Sequence, residues 1–236
     1  MQLLVTEVFW EAFPEARIGV MAAHGLDNTA SAAEAAALLM AEAAASAGAL
    51  ANVDIAMDPA VVPWRAAYTR FGAKPSKYRS SIESLLRSAQ AERVRSINPL
   101  VDLYNAISLR HQLPCGGEDL AAIVGDVLLT RATGSEPFRP LGTVDDAPPW
   151  AGEVIYCDAA GAICRCWNWR EAERTKLTPQ TRDALLVIEA LPAHAPEVLD
   201  AALAELAALV TRLLGGRTRA TVLTPSAPSC GLEAVA

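Results

Sequence analysis

The sequence has little histidine, and its few cysteines are poorly grouped for metal. His24, His111 and His194 are the three histidines in 236 residues, and they stand far apart. The five cysteines are an odd number, scattered except for Cys164 and Cys166. A zinc site therefore lacks paired ligands at short spacing, and a disulfide framework is not expected; a reducing cytoplasm fits this usage better. There is no run of about 18 uncharged apolar residues, so no membrane-spanning helix is expected. The opening Met1-Gln2-Leu3-Leu4 lacks a basic segment followed by an apolar one, so no secretory signal is expected either. Phosphate-loop and dinucleotide patterns are missing, Gly116-Gly117 is too short to cradle a phosphate by itself, and there is no Gly-x-Ser-x-Gly elbow. No metal and no cofactor is implied.

What the chain does have is core. Apolar residues make up 52% and charged residues 20%, enough to bury one large domain and unlike a disordered chain. The net charge of −7 argues against nucleic acid until its distribution is considered. Between Arg65 and Arg95 lie eight basic residues (Arg65, Arg70, Lys74, Lys77, Arg79, Arg87, Arg93, Arg95) against Glu83 and Glu92, a net +6 that leaves −13 elsewhere. Such an island is either a solvated helix face or a surface for phosphates.

Residues 2–9 and 16–23 read as strands broken at Pro14, and alanine-rich 30–50 as a helix. Asp58-Pro59 and Asn98-Pro99 are cap-then-proline helix starts, and Ser80 or Ser81 caps a third helix with Ile82, Leu85, Leu86 and Ala89 as its stripe. Beyond Gly117 the pattern becomes strand-like over 124–130, 153–157 and 163–169. Residues 184–189 form a nearly continuous apolar run, and 196–214 an amphipathic helix closed by Gly215-Gly216. Residues 217–223 add a strand. The expectation is one α+β domain over residues 1–223, with mixed or antiparallel sheets in a sandwich-like core, helices packed outside, and a loose tail over 224–236.

Several residues invite chemistry. Asn98, Asp102 and Asn105 form a polar stripe on one helix; Asn98 is the cap, while Asp102 and Asn105 either bond to neighbouring loops or line a pocket. Cys115, near His111 and before two glycines, is either a nucleophile or a core thiol. Cys164 and Cys166 would share one face of a strand as small hydrophobes. In an alternating strand Trp167 and Trp169 would share one face and Asn168 and Arg170 the other, an exposed polar edge or a ligand contact. Glu189 ends the apolar run, where a buried carboxylate needs a partner or a ligand.

Five segments occur in order: Lys77-Tyr78-Arg79-Ser80-Ser81; Asn98-Pro99-Leu100-Val101-Asp102-Leu103-Tyr104-Asn105; Leu113-Pro114-Cys115-Gly116-Gly117-Glu118-Asp119; Arg165-Cys166-Trp167-Asn168-Trp169-Arg170; and Leu185-Leu186-Val187-Ile188-Glu189. The set resembles freestanding relatives of the editing domain in the phenylalanyl-tRNA synthetase β subunit, called the B-three/B-four domain, over roughly residues 10–215. The resemblance implies that fold and hydrolysis of the ester joining an amino acid to tRNA. It sets the family's pocket histidine on Gly116, its small-residue stretch near Cys166–Arg170, and its side-chain-reading glutamate on Glu189. The implied pocket is Asn105, Gly116, Gly117, Glu118, Asp119, Trp167, Asn168, Arg170 and Glu189. Glu118, Asp119 or Glu189 would hold the substrate ammonium. Lys74, Lys77 and Arg79 would meet tRNA, and no membrane is involved. No side chain stands out as the nucleophile; water and the ribose hydroxyl would be placed with backbone donors around the developing oxyanion. Two rival expectations are a non-catalytic tRNA or amino-acid binding module, and an enzyme acting on a small amino-acid derivative.

Overall fold

The structure is a computed structural model that describes residues 1–234. Its first strand, β1 (Gln2–Val5), is shorter than the sequence pattern suggests, because the chain turns at Thr6 into a helix, α1 (Glu7–Ala12). Phe9 and Trp10 are buried there, and Phe9 and Phe13 lie 4.9 and 4.8 Å from the Trp167 ring. Aromatic packing outweighs the local strand preference of this segment.

Strand β2 (Arg17–His24) leads into α2 (Ala32–Ala49), α3 (Val62–Arg70), α4 (Ser81–Gln90) and α5 (Pro99–His111). Two of the expected caps form: Ser80 Oγ accepts from the Glu83 amide at 3.3 Å, and Asn98 Oδ1 from the Val101 amide at 3.1 Å. The third does not start a helix at once. Asp58 accepts from the Ala60 amide at 2.9 Å in a tight turn, and α3 begins only at Val62.

The second half contributes β3 (Cys115–Asp119), β4 (Val127–Arg131), β5 (Val154–Asp158), β6 (Gly161–Arg165), β7 (Arg170–Glu171), β8 (Asp183–Ala190), α6 (Pro196–Leu214), β9 (Arg217–Leu223) and β10 (Ser229–Gly231). One sheet runs β10-β1-β4-β5-β6-β7, the other β3-β8-β2-β9. Every pairing is antiparallel except β1 with β4. This is the expected α+β class with mixed sheets. One core cluster joins Leu3, Leu129 and Ile163 of the larger sheet to Ile18, Val20 and Leu185 of the smaller. A second joins the other face of the smaller sheet, Met21, Leu186 and Ile188, to α5 and α6 through Leu103, Ile107, Leu203 and Leu206. The alternation of β2 and β8 between these clusters is what places odd-numbered Leu185, Val187 and Glu189 on the face away from α6.

Two expectations fail on topology. Residues 163–169 are not one strand, since the chain reverses over 166–169 between β6 and β7. The tail is not loose beyond 224: β10 pairs with β1, and Leu232 is buried, because β1 otherwise leaves an unpaired edge. Residues 235–236 of that expected tail lie outside the described residues.

Candidate functional site

The reversal at 166–169 places two consecutive non-glycine residues at positive φ. Cys166 and Trp167 have φ of 46° and 66°, a region that costs non-glycine residues roughly 1–3 kcal/mol each. Three things hold it. Trp167 is fully buried, the Trp167 amide donates to the Val154 carbonyl at 2.7 Å, and the Cys166 amide donates to Glu153 Oε1 at 2.8 Å. Glu153 is in turn fixed by a buried bidentate pair with Arg165, at 2.9 and 2.7 Å. Trp167 and Trp169 therefore do not share a strand face: Trp167 goes into the core and Trp169 is half-buried at the rim. Cys164 and Cys166 likewise lie on different structures, one on β6 and one in the turn.

The turn delivers Asn168 to a cavity of about 380 Å³ between α4, α5 and the ends of both sheets. This lies at the small end of the roughly 300–1,000 Å³ typical of small-molecule pockets. Asn105 enters from α5, Gly116, Gly117 and Glu118 from β3, and Glu189 from β8; Trp167 and Asn168 come from the turn and Arg170 from β7. Asp119 is not brought in. Its carboxylate accepts from Thr181 Oγ1 at 2.6 Å and the Ala121 amide at 3.0 Å, so it caps the next turn. The polar stripe on α5 divides as well. Asp102 ties down the loop before the helix through Ser96 Oγ at 2.5 Å and the Ile97 amide at 2.9 Å, while Asn105 lines the cavity.

Glu189 is 3% exposed and sits in a chain of hydrogen bonds. Tyr156 Oη donates to its Oε1 at 2.6 Å, Asn168 Nδ2 donates to its Oε2 at 2.6 Å, and Tyr68 Oη donates to Asn168 Oδ1 at 2.9 Å. Burial outweighs these donors and lifts the Glu189 carboxyl to about 7. Glu171, which sequence reasoning passes over, lines the same cavity and is also lifted to about 7 by burial. Glu118 is pushed well above the carboxylate range, first by burial and then by Glu171. Glu171 adjoins the Trp-Asn-Trp-Arg segment, and Tyr156 is the one hydroxyl within β5 otherwise made of Val154, Ile155, Cys157 and Asp158. The sequence offers no other signal for either residue. Cys115 lines the cavity, but burial pushes its thiol up and His111, the base the sequence places near it, bonds to Glu205 at 2.7 Å instead.

The profile of the B3/4 domain matches residues 63–215. The chain belongs to the B3/4 domain family. No curated protein sequence matches it. Among solved structures, it is similar to an N-terminal fragment of the phenylalanyl-tRNA synthetase β subunit from Pyrococcus horikoshii, at 14% identity and a TM-score of 0.45. The match covers 92% of this chain and 50% of that one, so the chain spans half the length of that fragment.

In this B3/4 domain the basic island is less free than its net charge suggests. Arg65 and Arg87 bind fully buried Glu83 at 2.8 and 3.0 Å, and Arg79 stands 3.8 Å from it. Lys74, Lys77 and Arg79 remain exposed on the link between α3 and α4. That link reaches the cavity rim through an aromatic step. Lys77 Nζ lies 5.0 Å over the Tyr78 ring, and Tyr78 meets the Trp169 ring edge-on at 4.8 Å. Trp169 itself lines the cavity. Among the described residues no helix is long and apolar enough to cross a membrane, and no group of three or more His, Cys, Asp or Glu could hold a metal ion.

Proposed function

We propose that this B3/4 domain is an aminoacyl-tRNA deacylase, which hydrolyses the ester between a wrongly attached amino acid and the terminal ribose of tRNA in the cytoplasm. The observation that carries this reading is a convergence. Asn105, Asn168, the glycine pair of β3 and three carboxyl groups meet in one cavity, beside a rim of exposed cations and stacked aromatics. The amino acid enters the cavity, and the ribose and phosphates lie along Trp169, Tyr78, Lys74, Lys77 and Arg79. Aromatic faces and scattered cations suit a single-stranded RNA end.

Glu189 meets the side chain of the amino acid. With a carboxyl near 7 it both accepts and donates at neutral pH. Each of its oxygens already accepts one bond, from Tyr156 or Asn168, and keeps a second lone pair, so a side chain with a matching polar group gains a bond there that an apolar one does not. Hydrolysis proceeds by placement: the β3 backbone at Gly116 and Gly117 gives close approach to the ester, and water with the ribose hydroxyl completes the attack. Water adds to the ester carbonyl, the bond to the ribose oxygen breaks, and the ribose oxygen takes the proton.

The test is incubation with a panel of mischarged tRNAs. Loss of the ester above the buffer rate for at least one of them is expected. Intact esters throughout contradict the proposal, and tight binding with the ester intact favours a binding module instead.

A further inference from the structure

Glu118 and Glu171 stand at one part of the cavity without a cation. Side chains alternate along β3, so Gly116 and Glu118 share a face. A Cβ on Gly116 would lie 3.1 Å from Glu171 Oε1, which sets Glu171 against that same face. The opposite face of the strand at Gly117 is closed by Leu186 and Leu177. Glu171 is positioned by the Gly117 amide, which donates to its Oε1 at 3.2 Å. Glu118 is 5% exposed, lines the cavity, and its Oε2 has no hydrogen-bond partner.

Arg174 draws Glu118 down and Arg170 draws Glu171 down, but burial outweighs both. Arg174 is taken up by Asp158, at 2.7 and 3.0 Å. Arg170 is exposed and lies over the Trp169 ring at 5.7 Å. Tyr104, Cys164 and buried Thr175 also surround the pair: burial followed by the Glu171 charge pushes Tyr104 and Cys164 up, and the Thr175 hydroxyl beside Glu118 is neutral, so none supplies a charge. An unpartnered buried carboxyl is costly and is kept where a ligand completes it. Two carboxyls suit the three donors of an ammonium group, whereas a calcium ion takes six or more oxygens.

We propose that Glu118 and Glu171 are the ammonium-recognition end of this cavity, so that its substrates are amino-acid esters with a free α-ammonium group and N-acylated ones are rejected. This rests on the cavity being the aminoacyl site. It assigns the ammonium to a residue pair rather than to Asp119 or Glu189, whose carboxylates are already bonded to Thr181 and to Tyr156 and Asn168.

The test is calorimetric binding of stable amide analogues of aminoacyl-adenosine, each with its α-amino group free and acetylated, covering all proteinogenic side chains. For at least one pair the free form should bind roughly tenfold tighter or more, as a charge-assisted bond would give. Glu118→Gln and Glu171→Gln should bring that ratio towards one, with the acetylated form unaffected, and Glu171→Asp should restore part of it. A purely structural role would weaken both forms together. Equal binding of both forms, a ratio unmoved by either substitution, or binding of no analogue overturns the proposal. Equal binding with hydrolysis of mischarged tRNA intact sinks the ammonium assignment alone. Discriminating binding with no hydrolysis sinks the deacylase reading alone.

Discussion

Two sets of buried carboxylates divide this molecule. Glu83 and Glu153 are both completely buried, and each is met by arginine: Glu83 by Arg65 and Arg87, Glu153 by Arg165 at 2.7 Å. Glu118, Glu171 and Glu189 are buried or half-buried around the cavity, and among the described residues none has an ion-pair partner. The first set builds. Glu153 pins the turn that carries Trp167 and Asn168, and Glu83 gathers the arginines of α3 and α4. The second set is left charged or protonated against an open cavity, which is the pattern of a site that waits for a ligand.

The largest effect should come from breaking the first set. Glu153→Ala leaves the Arg165 charge buried and unpaired and releases the Cys166 amide, so a loss of about 3–5 kcal/mol of stability is expected by chemical denaturation. A loss below about 1 kcal/mol, the level of an exposed pair, would erase the distinction between the sets.

The second set should behave in the opposite sense. A glutamate titrates near 4.5 when unfolded, while folded Glu171 stands at about 7. Between those values the folded state holds a proton that the unfolded chain has released, so this group's stabilisation is full below about 4.5 and is lost as pH rises towards 7. Glu171→Gln removes this group's share of the dependence and leaves that of Glu189. At pH 7.5 it should be more stable than the parent by on the order of 1–3 kcal/mol, with the gap closing below pH 4.5. A gap that is constant with pH, or of opposite sign, contradicts the account.

The paired acids are hard to see in the sequence and the cavity acids partly visible, for a physical reason. Glu189 is legible because it ends a run of apolar residues, where a charge is conspicuous. Glu171 follows an arginine in a polar stretch and carries no such contrast. Its burial is created by β3, more than fifty residues away in sequence at Gly117. Asp102 and Asn105 lie three residues apart on one helix, yet only the fold decides that one ties a loop and the other faces the cavity. The α+β class, the caps at Ser80 and Asn98 and the shared site of the glycine pair with Asn168 are readable from local pattern and family likeness. The positive-φ reversal at Cys166 and Trp167 is not, because alternation of Trp-Asn-Trp-Arg mimics a strand, and the contacts that hold the turn, Trp167 burial and the bonds to Val154 and Glu153, are tertiary. β1 ends early for a similar reason, as Phe9 seeks the ring of Trp167.

The smallest effect on stability is expected at the rim. Reversing Lys74 and Lys77 to Glu, with Arg79 left beside buried Glu83, should change stability by no more than about 0.5 kcal/mol, as exposed residues do. It should weaken tRNA binding and flatten its dependence on salt, with a slope reduced by roughly 0.7 for each single-strand phosphate that the protein ceases to neutralise. Unchanged affinity and slope would remove the rim from the account and favour an enzyme for a small amino-acid derivative.

The most direct test of the cavity as the seat of function is single-turnover hydrolysis of a mischarged tRNA that the parent protein clears, repeated with Glu189→Gln at matched thermal stability. A rate lower by roughly tenfold to a hundredfold is predicted, the worth of a hydrogen bond to a charged group. An unchanged rate in a folded Glu189→Gln protein would contradict the account and put the chemistry elsewhere.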